Sequence, residues 1–188
     1  MDTHFLDLRV MPDPELPAAT LMSALYERLH LALARARREN LAVSFPGYNI
    51  GRGTVGDRLR LVGSLDELAT LMAQPWLGGL RDQLSIDDPQ VIPATAEHRT
   101  LHRVQAKSSP ARLRRRQMRR HGLSEAEAAE RVPDNAAERL DLPFVAMRSA
   151  STGQSFRLYL RLGPTVGHAM SGQFNSYGLS ADATVPWF

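Results

Sequence analysis

The 188-residue chain has no cysteine. Disulfide scaffolds, thiolate metal sites and cysteine nucleophiles are thereby excluded. Long apolar runs are missing as well: no stretch reaches 18 apolar residues, and no basic leader followed by an apolar run opens the chain. The expectation is a cytoplasmic protein that is neither secreted nor membrane-spanning. There is no internal repeat and no low-complexity tract. The six histidines are read as offering no metal-ligand pattern, and Asp87-Asp88 is an isolated pair at a turn. Neither a metal nor another cofactor is therefore expected.

A further absence is local. From His98 to Ser124 there is no Asp or Glu, but there are nine Lys/Arg: Arg99, Arg103, Lys107, Arg112, Arg114, Arg115, Arg116, Arg119 and Arg120. The other positions hold 14 basic residues against 20 acidic ones, so a net charge of +3 conceals a strong segregation. Such a window points to a polyanion-binding surface rather than to general solubility.

What is present suffices for a core. With 43% hydrophobic residues, the chain fits one domain or two small ones and needs no staple to fold. His4–Val10 alternates, with Leu6, Leu8 and Val10 on one face and Phe5, Asp7 and Arg9 on the other. Ala18 to about Arg38 reads as a helix whose apolar arc is Leu21, Met22, Leu25, Leu29 and Leu33. Leu41–Phe45 and Asp57–Val62 read as strands. Ser64 with Glu67 makes a capping box for a helix to about Ala73, and a last strand falls within Leu84–Ile92. This βαββαβ order is the ferredoxin-like arrangement, within an α+β fold class. Pro93 to about Gln105 marks a composition shift, which gives an N-terminal domain over 1–93 and a smaller domain over 94–188.

In the second part, Ser109-Pro110 opens a helix that ends near Gly122, and Ser124 with Glu127 caps a short one stopped by Pro133. Phe144–Ser149 and Ser155–Leu162 read as a β-hairpin, and Phe174–Leu179 and Val185–Phe188 as short terminal strands. On the first of these helices Arg112, Arg115, Arg116, Arg119 and Arg120 fall within about 140° of arc, a stripe ~12 Å long at ~1.5 Å rise per residue. Like charges at this spacing repel one another, and a phosphate backbone relieves that repulsion. Nucleic acid is the favoured partner. Helix-turn-helix is a weak match, because the basic helix would come first rather than second. A nuclease without a metal would use acid–base chemistry on an RNA 2′-hydroxyl, which histidine suits and DNA cannot offer. His30 lies at the rim of its helix's apolar arc. Taken alone, it and Ser149 and Tyr177 read as structural.

Several stretches together are more specific. Arg103-Val104-Gln105-Ala106-Lys107-Ser108, the run from Arg112 to His121, Leu142-Pro143-Phe144-Val145, Ser151-Thr152-Gly153-Gln154 with Phe156-Arg157-Leu158, and Val185-Pro186-Trp187-Phe188 occur in order. In these the chain resembles the CRISPR-associated repeat-processing endoribonucleases of type I-F systems, nearly end to end. The resemblance implies that the arginine-rich helix docks in the major groove of the repeat RNA hairpin. Arg112 would belong to its stripe, and Arg115, Arg116, Arg119 and Arg120 would hold the stem. It further implies that Arg103 and Gln105 read base edges of the lowest pairs, and that Phe156 stacks on the terminal pair. By the same resemblance, His30 is the general base on the 2′-hydroxyl, Ser149 fixes the ribose and Tyr177 orients the histidine. Metal-independent cleavage to a 2′,3′-cyclic phosphate, retention of the product and assembly with other subunits of a surveillance complex are also implied. The alternative is a non-catalytic hairpin-RNA or DNA-binding module using the same helix.

Overall fold

A computed structural model describes residues 3–36, 40–105, 110–133, 140–149 and 153–188. Among these residues, two antiparallel sheets and four α-helices make an α+β fold. The first half runs β1 (His4–Val10), α1 (Ala18–Ala36), β2 (Ala42–Ser44), β3 (Arg58–Gly63), α2 (Leu65–Met72), a 3-10 turn (Gly78–Gln83), β4 (Leu84–Ile86) and β5 (Gln90–Val91). Its sheet has the order β2-β3-β1-β4, with β5 also pairing β1. The expected strand in Leu84–Ile92 is thus two short pieces, both antiparallel to β1 and separated around Pro89. The Ser64/Glu67 capping box at the start of α2 forms as expected.

The second half adds β6 (Glu97–Val104), α3 (Pro110–His121), α4 (Glu125–Arg131), β7 (Phe144–Arg148), β8 (Ser155–Leu162) and β9 (Ser180–Trp187), with sheet order β7-β8-β6-β9. The hairpin pairs Phe144 with Tyr159 and Arg148 with Ser155. β6 is an eight-residue strand where the composition shift suggested a domain boundary; Leu101 is its one fully buried side chain, so no apolar alternation announces it. The short strand expected over Phe174–Leu179 is instead a turn leading into β9, and Tyr177 lies in that turn. Ser109, Lys107 and the hairpin tip at Ser151 and Thr152 fall outside the described residues.

One apolar core joins the two sheets. Leu21, Leu25, Leu29 and Leu33 of α1 pack with Leu6 and Leu8 of β1, Leu59 and Leu61 of β3, and Val145, Met147, Leu158 and Leu160 of β7 and β8. On the other face of β1 Phe5 and Asp7 are buried too, while Arg9 is exposed. Phe5 joins Ala42, Val62 and Val185 in a second cluster, and Asp7 is buried beside it. Asp7 takes Arg60 in a two-pronged pair at 2.7 and 2.9 Å. The Arg60 guanidinium lies 3.8 Å from the centre of the Phe188 ring and donates to the Phe188 carbonyl at 3.1 Å. A charge removed from water in this way persists only because every face of it is answered.

By contacts, the chain divides into Met1–Arg103 with Leu142–Phe188, and Val104–Asp141. A boundary at residue 93 is a different cut: it falls between the two sheets, whereas the contact division groups both sheets and sets α3 and α4 apart. Within that second unit, Arg114 Nε donates to the Val132 carbonyl at 2.7 Å, and Ser124 and Glu127 form the second expected capping box. Gly122 ends α3 in the left-handed conformation, at φ 62°.

Candidate active site

His30 projects from α1 on the last turns of its buried face, half-exposed, next to Leu29 and one turn beyond the fully buried Tyr26. Opposite it stands the turn 175–178. Asn175 organises this turn, its Oδ1 accepting the amides of Tyr177 at 2.9 Å and Leu179 at 3.3 Å. Gly178 lies at φ +69°, and a Cβ there would come within 2.8 Å of Val43. The Val43 amide donates to the Gly178 carbonyl at 2.9 Å, so the turn is tied to β2 where only glycine fits.

This turn presents three groups to α1. The Ser176 carbonyl meets His30 Nδ1 at 2.9 Å. The Tyr177 ring stacks on the imidazole with centroids 3.8 Å apart and planes 1° from parallel. The Tyr26 hydroxyl donates to the Tyr177 carbonyl at 2.8 Å, and burial, with Tyr177 adding to it, raises the Tyr26 pKa well above the usual phenol value. A carbonyl oxygen can only accept, so the bond at Ser176 puts the proton of neutral His30 on Nδ1. Nε2 then carries the lone pair, as a general base requires.

Arg103, at the end of β6, extends the arrangement. Its guanidinium lies 5.9 Å from the centre of the Tyr177 ring and 5.4 Å from that of Phe156 on β8. Its Nε is buried with no partner among the described residues. A buried donor without an acceptor calls for a ligand or a water, and this one sits between two rings. The structure thus links His30, Tyr177, Arg103 and Phe156 through successive contacts. Ser149 directly follows β7, the strand packed on α1, and closes the hairpin turn by donating its amide to Gln154 and accepting from Gly153. Gln105 is exposed just after β6.

The basic helix belongs to the second unit, Val104–Asp141. On α3 no side chain is buried, and Arg112, Arg115, Arg116, Arg119 and Arg120 are all exposed. Arg114 points elsewhere, to Val132. Among the described residues Arg116, Arg119 and Arg120 have no carboxylate partner; the only ion pairs found are those of Arg58 and Arg60 with Asp7.

No group of three or more His, Asp or Glu that could hold a metal occurs among the described residues. His98 and His102 do stand four apart, a chelating spacing on a helix. On β6 the same spacing separates them by ~13 Å at ~3.3 Å per residue. Among the described residues, no helix is long and apolar enough to cross a membrane.

Sequence reasoning passed over four participants: the Ser176 carbonyl, Tyr26, Asn175 and Gly178. A backbone carbonyl leaves no trace in a sequence. The Asn-x-x-Gly spacing of 175–178, by contrast, is a legible turn signal.

An α+β protein in which a half-exposed histidine has its tautomer set by a backbone carbonyl, together with a separate arginine-lined helix, belongs to a definite class. Residues 5–188 match the family model described as "CRISPR-associated protein (Cas_Csy4)", and the chain belongs to that family. It is 53% identical over 185 residues to the CRISPR-associated endonuclease Cas6/Csy4 of Pseudomonas aeruginosa (strain UCBPP-PA14), covering 98% of this chain and 99% of that protein. It is 42% identical to the protein of the same name from Escherichia coli (strain UTI89 / UPEC), with the same coverage.

Proposed function

We propose that this protein is an endoribonuclease that binds the hairpin of CRISPR repeat RNA and cuts precursor RNA at the 3′ base of the stem. The observation that carries the reading is the His30 arrangement. With Nδ1–H committed to the Ser176 carbonyl and the ring held flat against Tyr177, Nε2 is free to take the proton of a ribose 2′-hydroxyl. The 2′-oxygen then bonds to the adjacent phosphorus, the bond from phosphorus to the 5′-oxygen breaks, and that oxygen takes up a proton. The products are a 2′,3′-cyclic phosphate and a 5′-hydroxyl, with no metal in any step.

Ser149 holds the ribose in this reading, while Arg103 and Gln105 read base edges of the lowest pairs and Phe156 stacks on the last one. The unpartnered Arg103 Nε supports that role, since a base acceptor would satisfy it. Arg112, Arg115, Arg116, Arg119 and Arg120 clamp the stem phosphates, where their mutual repulsion becomes attraction. Binding energy collected along the stem positions the scissile ribose and leaves the product tightly held. The product is then carried into a larger surveillance complex in the cytoplasm. We read the order β1α1β2β3α2β4 with sheet order β2-β3-β1-β4 as ferredoxin-like, and residues 1–93 and 94–188 as the functional halves that supply the general base and the hairpin-binding surface.

The test uses the repeat hairpin of the protein's own locus in EDTA, beside the same RNA with a 2′-deoxy nucleotide before the cut. Cleavage of the first alone is expected. Tight binding with neither cut would reduce the protein to a hairpin-binding module, and equal competition by stem-sequence duplex DNA would turn the reading towards DNA.

A further inference from the structure

Neighbouring strands β6 and β8 carry site residues at one end and two further arginines at the other. Arg103 and Phe156 meet beside Tyr177. Arg99 lies four residues back along β6, and Arg161 lies five residues on along β8. At ~3.3 Å per residue these are ~13 and ~16 Å from the site. The amide of Gly163 donates to the Thr100 carbonyl at 2.8 Å, which holds the two strands together at that far end.

There Arg99 and Arg161 line an open groove of about 600 Å³ with Tyr48, Asn49 and Trp187, and no acidic residue lines it. Arg99 donates its Nε to the Gly163 carbonyl at 2.8 Å and lies 5.7 Å from the Trp187 ring centre, which leaves its terminal nitrogens available. Tyr48 is fixed by its hydroxyl's bond to the Leu160 carbonyl at 3.1 Å. Arg161 is exposed and has no carboxylate partner among the described residues. The pKa of nearby His102 is lowered, first by burial and then by the charge of Arg161, as expected where no acid answers that charge. Forked cations beside flat aromatic faces match a phosphodiester carrying a base.

We propose that this groove binds an unpaired nucleotide of the RNA strand adjoining the hairpin stem, its phosphate on Arg99 and Arg161 and its base against Trp187 or Tyr48. The proposal rests on the RNA-processing reading and adds a second contact point to it.

The test measures affinity for three RNAs, each with a 2′-deoxy nucleotide at the cut: the bare hairpin, and the hairpin with several unpaired nucleotides on its 5′ or its 3′ side. For the unmodified protein, one flank is expected to tighten binding ~10-fold, within the range of a single stacked base. Arg161→Ala and Arg161→Glu should abolish that gain and reduce the salt slope for that RNA by ~0.7 per lost phosphate contact. Both should leave bare-hairpin affinity and cleavage of the all-ribose hairpin unchanged. Equal affinity of the unmodified protein for all three RNAs overturns the groove assignment alone, as does an Arg161 variant that weakens bare and flanked RNAs equally. Failure to bind any hairpin overturns the underlying reading and the groove with it.

Discussion

Two sets of arginines show how one residue type serves opposite ends. Arg60 is buried, held by Asp7 and packed against the rings of both Phe5 and Phe188, so its charge is spent inside the protein. Arg116, Arg119 and Arg120 stand exposed on α3, a helix with no fully buried side chain, and have no carboxylate partner among the described residues. The first kind of arginine fixes a structure, and the second awaits a partner. The same contrast separates the pre-arranged His30 site from a helix whose favourable state requires an anion.

The comparison can be tested by substitutions, and the largest effect belongs to the site. His30→Ala should lower single-turnover cleavage by ~10²–10⁴, the usual range for a lost acid–base group, with hairpin affinity preserved. A collapse of affinity would show that the site and the RNA-binding surface are not separable. Next, Asp7→Ala strands the buried Arg60 and should cost ~3–5 kcal/mol of stability, read as a denaturation midpoint. Arg116→Ala or Arg120→Ala should leave that midpoint in place. Each should weaken hairpin binding by ~1.5–3 kcal/mol and lower the salt slope by about one, as for lost charge-assisted phosphate contacts. Stability loss in these variants, or an intact slope, would erase the distinction between the two kinds of arginine.

Smaller effects sharpen it further. Tyr26→Phe leaves the Tyr177 carbonyl without its buried donor and should cost ~1–3 kcal/mol. In that variant the cleavage rate should fall while hairpin affinity holds, because the turn that fixes the His30 tautomer has lost one tether. The smallest change concerns α4. Hydrogen bonds from Ser124, backbone first and then side chain, hold the Glu127 pKa below its ordinary value. A depressed carboxylate stabilises above its unfolded value and loses that contribution as pH falls through the folded one. Circular dichroism should therefore show a slight loss of helix on acidification, smaller in Ser124→Ala, which keeps the backbone donor, and absent in Glu127→Gln, which cannot titrate.

Much of this was legible where local chemistry decides the structure. The Ser64/Glu67 and Ser124/Glu127 boxes, the strand His4–Val10 and the Ser155–Leu162 strand all formed as their residues indicate. The acid-free window named the arginines of α3. What stayed hidden depends on partners distant in the chain. β6 is a strand because β8 and β9 flank it, not because its sequence alternates. The alternation of β1 leaves open what meets Phe5 on its second face; Val185 and Phe188, far along the chain, cover it. Of the site residues, His30 and Tyr177 were named through a family resemblance, whereas the carbonyl that selects the tautomer belongs to Ser176 and has no side-chain signature.

The bond between His30 and Ser176 spans 146 positions. At ~5–20 residues per second, a ribosome needs about 7–30 s to travel from one to the other. By residue 121, well inside that interval, α3 and its arginines have been made, but until Ser176 follows nothing fixes which imidazole nitrogen keeps its proton. On the proposed reading, a nascent or prematurely released chain has the helix that holds RNA before the histidine arrangement that cuts it, and nuclease activity waits for Ser176.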